Sequence, residues 1–179
     1  MGTFRRFQSL GRDSQKQVMG LGRVKKRLDK FKKAANMDVI FQEIVSEKEL
    51  QQFAIELNTE GQPTSQLFEK GVDSFSVSLG DYAGTTIEGT SSFQGKKDKG
   101  QRFDHITLKD TGKFYSTFVI VTGGNAFLMK ITANPNRDDT NLFDDFGKGI
   151  VGWTDENLQL IIDAIREKIV PLIKKKMAA

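Results

Sequence analysis

Between Phe114 and Ile131 the chain carries the pattern that most restricts how it can fold. Phe114-Tyr115 is followed by Phe118-Val119-Ile120-Val121, a run rich in β-branched and aromatic residues. The run stops at Gly123-Gly124-Asn125 and resumes as Ala126-Phe127-Leu128-Met129-Lys130-Ile131. Two such runs around a Gly-Gly-Asn tip predict a β-hairpin. Glycine supplies the positive φ that a tight tip needs, and asparagine tolerates it. The polar segment before the first run, Leu108-Lys109-Asp110-Thr111-Gly112-Lys113, predicts a helix-like turn feeding Phe114.

Asp110-Thr111-Gly112 is also the tripeptide of aspartic proteases. Those enzymes place two buried carboxylates so that they share one proton. Here Lys109 and Lys113 flank the tripeptide. Two cations beside a carboxylate favour full ionisation, which is wrong for a shared proton. The reading left is a turn in which Asp110 or Thr111 accepts backbone N–H bonds.

Composition narrows the chemistry. The 179 residues suffice for one domain with a proper core and an appended arm. There is no cysteine and a single histidine, which excludes disulfides and thiol catalysis and argues against zinc. No cofactor is expected. No apolar run approaches the length of a membrane span. The N-terminus is basic but lacks an apolar core and a cleavage site, so it does not read as a secretory signal.

Charge is unevenly spread. Residues 1–33 hold eleven lysines and arginines against Asp13 and Asp29, whereas the rest holds sixteen basic and twenty-one acidic residues. The division expected is a cationic arm, 1–35, on a mildly acidic body, 36–179. Within the arm, Leu21, Val24, Leu28 and Phe31 recur at spacings of three and four. They predict a short basic amphipathic helix from Gly22 to Ala35. Such a helix suits nucleic acid, a membrane surface or an acidic partner, or is simply solvated. The candidate contact residues are Arg5, Arg6, Arg12, Arg23, Lys25, Lys26, Arg27, Lys30, Lys32 and Lys33.

Beyond the arm, Asn36 to Asn58 has helical spacing, with a break or restart expected at Ser46, whose spacing to Glu49 is that of a capping box. Ser65 to Lys70 predicts one more turn, closed by Gly71. Phe75, Val77 and Leu79 alternate with serines and predict a half-buried strand, with Tyr82 to Glu88 as a second. Gly89 to Arg102 reads as a long exposed loop. It fails as a phosphate loop, because five residues separate Gly89 from Gly95 and Lys97 stands where Ser or Thr would hold magnesium. Asn134 to Asn141 reads as a polar loop. Asp138, Asp139, Asp144 and Asp145 match no calcium-loop spacing and read as solvated acids.

The terminal helix is the best signalled. Thr154 is a good N-cap, Asp155 and Glu156 suit the first turn, and Trp153 and Leu158 hold staple positions. Leu158, Ile161, Ile162, Ile165, Ile169 and Leu172 form the stripe expected to be buried. Pro171 is expected to kink or loosen the last turns. The fold class expected is α+β: a small antiparallel sheet with a β-hairpin packed against a central and a C-terminal helix, plus the basic arm.

This order of elements resembles the head–tail connector or tail-completion proteins of tailed bacteriophages, a family that includes ring-forming tail proteins of crAss-like short-tailed phages. The resemblance spans about residues 37–177. It rests on Leu108-Lys109-Asp110-Thr111-Gly112-Lys113-Phe114-Tyr115-Ser116-Thr117-Phe118, Asp145-Phe146-Gly147 and Gly152-Trp153-Thr154-Asp155-Glu156-Asn157-Leu158. Upstream, Leu57-Asn58-Thr59-Glu60 and Gln66 to Asp73 also fit. The motif positions are Leu108, Asp110, Thr111, Gly112, Phe114, Phe146, Gly147, Gly152, Trp153 and Thr154. The loop from Gly89 to Arg102 is longer than such proteins need, and the basic arm lies outside the common core.

The resemblance implies a structural virion protein without catalysis. It implies a closed ring of roughly twelve or six copies at the portal–tail junction, meeting the portal or an adjacent tail ring, each copy using one repeated heterologous interface. Assembly is then expected in the bacterial host cytoplasm, with DNA as a further contact in the lumen and no membrane partner. The second expectation is an accessory protein that binds nucleic acid through the arm, with affinity falling steeply as salt rises.

Overall fold

Helix periodicity and capping explain most of the scaffold seen in the computed structural model, which describes residues 25–33, 35–123, 128–137 and 140–178. Residues 25–33 form helix α1. Asn36 then starts α2 (Met37–Val45), its Oδ1 accepting from the backbone N–H groups of Asp38 and Val39 at 3.1 and 3.3 Å. That side chain satisfies donors that a first turn leaves unpaired. The expected break falls at Ser46, but not as a capping box. Ser46 closes α2, its hydroxyl donating to Gln42 O, and Glu47 is the N-cap of α3 (Lys48–Asn58) without a side-chain cap bond.

The long helix α6 (Asp155–Ala178) lies along α2 and α3 and runs unbroken through Pro171. Ile40, Ile44, Val45 and Leu50 are buried against Ile165, Ile169, Leu172 and Ile173. Ala54 and Leu57 of α3 bury Ile161. Leu158 departs from expectation. It is exposed, and the inward residue of that first turn is Asn157.

The predicted hairpin forms from β1 (Val119–Thr122) and β2 (Met129–Thr132), antiparallel, with Ile120 opposite Ile131. Gly123 N donates to Leu128 O at 3.0 Å; the Gly124–Phe127 tip lies outside the described residues. A helical turn does feed the hairpin, but it sits at Tyr115–Thr117, after Phe114 rather than before it. Phe114, Tyr115 and Phe118 converge edge to face, and with Leu67, Leu108, Ile131, Leu142 and Ile150 they make a second core.

The segment 72–107 corrects the sequence reading most. No strand forms over 75–79. A single bridge joins Val72 to Ser78, Phe75 and Val77 point outward, and only Leu79 turns toward the core. Alternation creates a strand only where a partner strand takes up its hydrogen bonds. Tyr82 to Glu88 is likewise not a strand: Gly84–Glu88 is the short helix α4. Gly89 to Arg102 is not a free loop. Gly89–Thr90 pairs with Phe93–Gln94, and Lys96 is buried. A Cβ at Gly95 would lie 2.2 Å from Ile87 O and 2.4 Å from Gly89 N, so the two glycines let backbones cross.

One further short pair completes the correction: Asn136–Arg137 with Thr140–Asn141 inside the expected polar loop, followed by helix α5 (Leu142–Phe146), whose N-cap Asn141 accepts from Phe143 N–H at 2.9 Å. The fold is α+β as expected, with three separate two-stranded sheets among the described residues in place of one.

Candidate functional site

Three features stand out: a polar latch joining the motif segments, a cleft at Asp110, and apolar side chains held outward. The latch comes first because it positions the others. Trp153 Nε1 donates to Ala54 O at 2.8 Å, and Thr154 N–H donates to the buried Gln66 Oε1 at 2.8 Å. Asn157 Nδ2 donates to Leu57 O and Thr64 O at 2.9 and 3.1 Å. Asn58 Nδ2 donates to Gly152 O. Asn157 N–H donates to Thr154 Oγ1 at 3.3 Å, so Thr154 is the N-cap the sequence predicted. The motif residues Gly152, Trp153 and Thr154 therefore tie α6 to the end of α3 and to the π-helical turn Gln66–Lys70. Gln66, Asn58 and Asn157 are buried amides that sequence reading did not single out. Their signal is weak, since the other amides among the described residues are exposed or half-buried.

Asp110, Leu108 and Phe146 come together at a cleft of about 400 Å³. Leu108 is buried with φ at 57°, a conformation that costs a non-glycine residue roughly 1–2 kcal/mol. Asp110 receives Arg137 Nη2 on Oδ2 at 2.9 Å and Lys99 Nζ on Oδ1 at 3.4 Å. Partial burial works against its charge, but Lys99 and then Arg137 outweigh that and hold the carboxyl below its ordinary range. The cations are not the flanking lysines. Lys109 turns away to Glu60. Thr111 Oγ1 accepts from Lys113 N–H at 3.4 Å and Gly112 has φ at 79°, so the tripeptide is the turn expected. Gly147, also at positive φ, closes the helix that carries Phe146. Phe114 lies in the core rather than in the cleft lining.

Lys96 enters the same cleft from the segment read as an exposed loop. Its Nζ donates to Lys109 O at 2.7 Å and Gln101 Oε1 at 3.3 Å, and sits 4.6 Å from the centre of the Tyr82 ring. Gln101 Nε2 also donates to Asp110 O at 2.8 Å.

The outward loop 72–78 is built, not slack. Asp73 Oδ1 accepts from the N–H groups of Phe75 and Val77, both at 2.9 Å, and Ser74 N–H donates to Gly149 O at 2.8 Å. Ser76 adopts a φ of 62° to complete the turn. A Cβ on Gly152 would lie 2.9 Å from Ser74 Cβ, so this motif glycine lets the loop approach. The result leaves Phe75 79% and Val77 60% exposed.

The helix over 25–33 carries Lys25, Lys26, Arg27, Lys30, Lys32 and Lys33, all exposed. Its apolar stripe is exposed too, Leu28 at 54% and Phe31 at 47%. Arg5, Arg6, Arg12 and Arg23 lie outside the described residues. Among the described residues, no group of three or more histidines and acids gathers as a metal site, and no helix is long and apolar enough to cross a membrane. Comparison with models of protein families, with characterised proteins and with solved structures finds no match to this chain.

Proposed function

We propose that the chain is a non-enzymatic assembly subunit that closes into a ring at the portal–tail junction of a tailed phage. The observation that carries the reading is the loop 72–78. Five hydrogen bonds to or from Asp73 and Ser74 hold Phe75 and Val77 out in water, where a folded monomer gains little from them. Ordered apolar side chains displayed this way mark protein contacts. A knob on one face that meets a different face of the next copy is a heterologous contact, and such contacts close into a ring when the rotation between copies closes. The sequence resemblance supplies the place: next to the portal or a neighbouring tail ring, in the virion, after assembly in the host cytoplasm.

Light scattering behind size exclusion tests this, together with images of the particle formed with and without portal. Phe75→Ser should leave a folded monomer that forms no ring. A wild-type chain that stays monomeric with every virion component would overturn the reading.

The exposed cationic helix 25–33 favours a second role, nucleic-acid contact through the arm. Deleting residues 1–33 should then lower DNA affinity and flatten its salt slope. Unchanged affinity and slope would remove DNA from the partners.

A further inference from the structure

Lys96 is a buried cation whose hydrogen-bond partners are both neutral. Only 6% of it is exposed, and among the described residues no carboxylate lies within ion-pair distance of its ammonium. Burying an ammonium without a countercharge is costly, and a ring face offsets only part of that cost. The lysine also lines the cleft beside Lys99 and Arg137. Arg137 engages Asp110 through Nη2, leaving the rest of its guanidinium fork. Of the two acids among the described lining residues, Asp110 is paired with Lys99 and Arg137, and Asp81 forms no ion pair with any of these cations. The pair Lys109–Glu60 is closed on itself. The balance favours an anion.

Part of the remaining lining is apolar. Phe93 and Phe146 contribute rings, with Ile106 and Leu142 behind them. Phe93 is half-exposed, on the short hairpin that leans over the cleft. A cleft of about 400 Å³ is in the size range of small-ligand sites. Its floor includes the strained backbone of Leu108, and strain of this kind gathers at ligand-holding positions.

From this combination we infer that the cleft binds a phosphate monoester joined to a flat ring, a ligand of mononucleotide class. The phosphate lies toward Lys96, Lys99 and Arg137, and the ring toward Phe93 and Phe146. Lys96 supplies the charge that no protein carboxylate meets. Arg137 supplies planar donors suited to phosphate oxygens. The aromatic rings supply a stacking surface that tolerates any base. A free nucleotide and the terminal nucleotide of a single strand present the same chemistry.

The experiment is calorimetry on the full chain with adenosine monophosphate, adenosine, inorganic phosphate and a short single-stranded oligoadenylate. The monophosphate should bind at least about tenfold more tightly than either adenosine or phosphate alone, because charged and stacking contacts act together. Lys99→Gln and Arg137→Gln sit at the rim and should each weaken it by about fivefold or more. Phe93→Ala should weaken it similarly, while Lys113→Gln, outside the cleft, should not. Circular dichroism confirms that each variant is folded. Oligoadenylate binding more tightly than the monophosphate, and weakened by Phe93→Ala, assigns the strand as the source; equal or weaker binding, or tighter binding that Phe93→Ala leaves unchanged, assigns the free nucleotide. No binding by any of these ligands, or equal binding of adenosine and its monophosphate, overturns the proposal. So does retention of wild-type affinity in both Lys99→Gln and Arg137→Gln.

Discussion

Phe114-Tyr115-Ser116-Thr117-Phe118 and Phe75-Ser76-Val77-Ser78-Leu79 are similar in length and both rich in apolar residues separated by hydroxyls, yet they have opposite fates. In the first, Phe114 and Phe118 are four apart and a helical turn brings them to one side, where both are buried. In the second, Phe75 and Val77 both stay exposed, and no strand lies alongside to build a sheet under them. The difference shows that an apolar pattern reports which side chains share a face, and not whether anything covers it. The neighbouring polar groups decide. Tyr115 is anchored by its hydroxyl, which donates to Thr107 O, whereas Asp73 curls the 75–79 segment into a turn.

The largest expected effect would break this comparison if it failed. Phe118→Ala should cost about 3–5 kcal/mol in denaturant unfolding, as for other buried phenylalanines. An effect below about 1 kcal/mol would mean that the two segments do not differ in burial. Gly71→Ala comes next. Gly71 has φ at 60°, and an added Cβ would sit 2.3 Å from His105 Cδ2, so the turn Gln66–Lys70 could not close as it does. A loss of more than about 1 kcal/mol is expected from strain and contact together. Asn157→Ala should cost about 1–3 kcal/mol, because Leu57 O and Thr64 O lose a buried donor.

A pH prediction sharpens the same contrast between groups fixed in the fold and groups left in water. The Asp110 carboxyl is held below its ordinary range in the folded chain. Its contribution is therefore full above the unfolded aspartate range, about pH 4, and is lost as pH falls through the lower folded value. Stability of Asp110→Asn should fall less steeply than wild type below about pH 4, as read by urea midpoints. The smallest effect on stability is that of Phe75→Ser, within about 0.5 kcal/mol, as for surface changes generally. Its readout is assembly. A large loss of stability would show that Phe75 belongs to the monomer's own core.

How far the sequence could be read follows the range of the interactions involved. Helix starts rest on contacts within three or four residues. Asn36, Thr154 and the stripe from Ile161 to Leu172 were legible for that reason, as was the hairpin flanked by Phe118 and Ile131. The Gly71 cap is equally local. Leu158 was misread because the latch from Asn157 to Leu57 O and Thr64 O rotates the first turn of α6.

The candidate cleft was only half legible. Asp110 and Phe146 stood in recognisable motifs, but the counter-ions of Asp110 come from Lys99 and Arg137, eleven and twenty-seven residues away. Lys96 read as a loop lysine because Phe93 is the one apolar residue between Gly89 and Arg102, too little to announce burial. By itself the sequence determined the α+β class, the capped helices, the hairpin and the uneven charge, all of which depend on neighbours along the chain. The tertiary structure alone decided which alternating segment lacks a partner strand, which cations meet Asp110, and that Lys96 goes inside. Each of those is settled by groups that folding brings together from distant positions, where the balance of desolvation and pairing has no local signature.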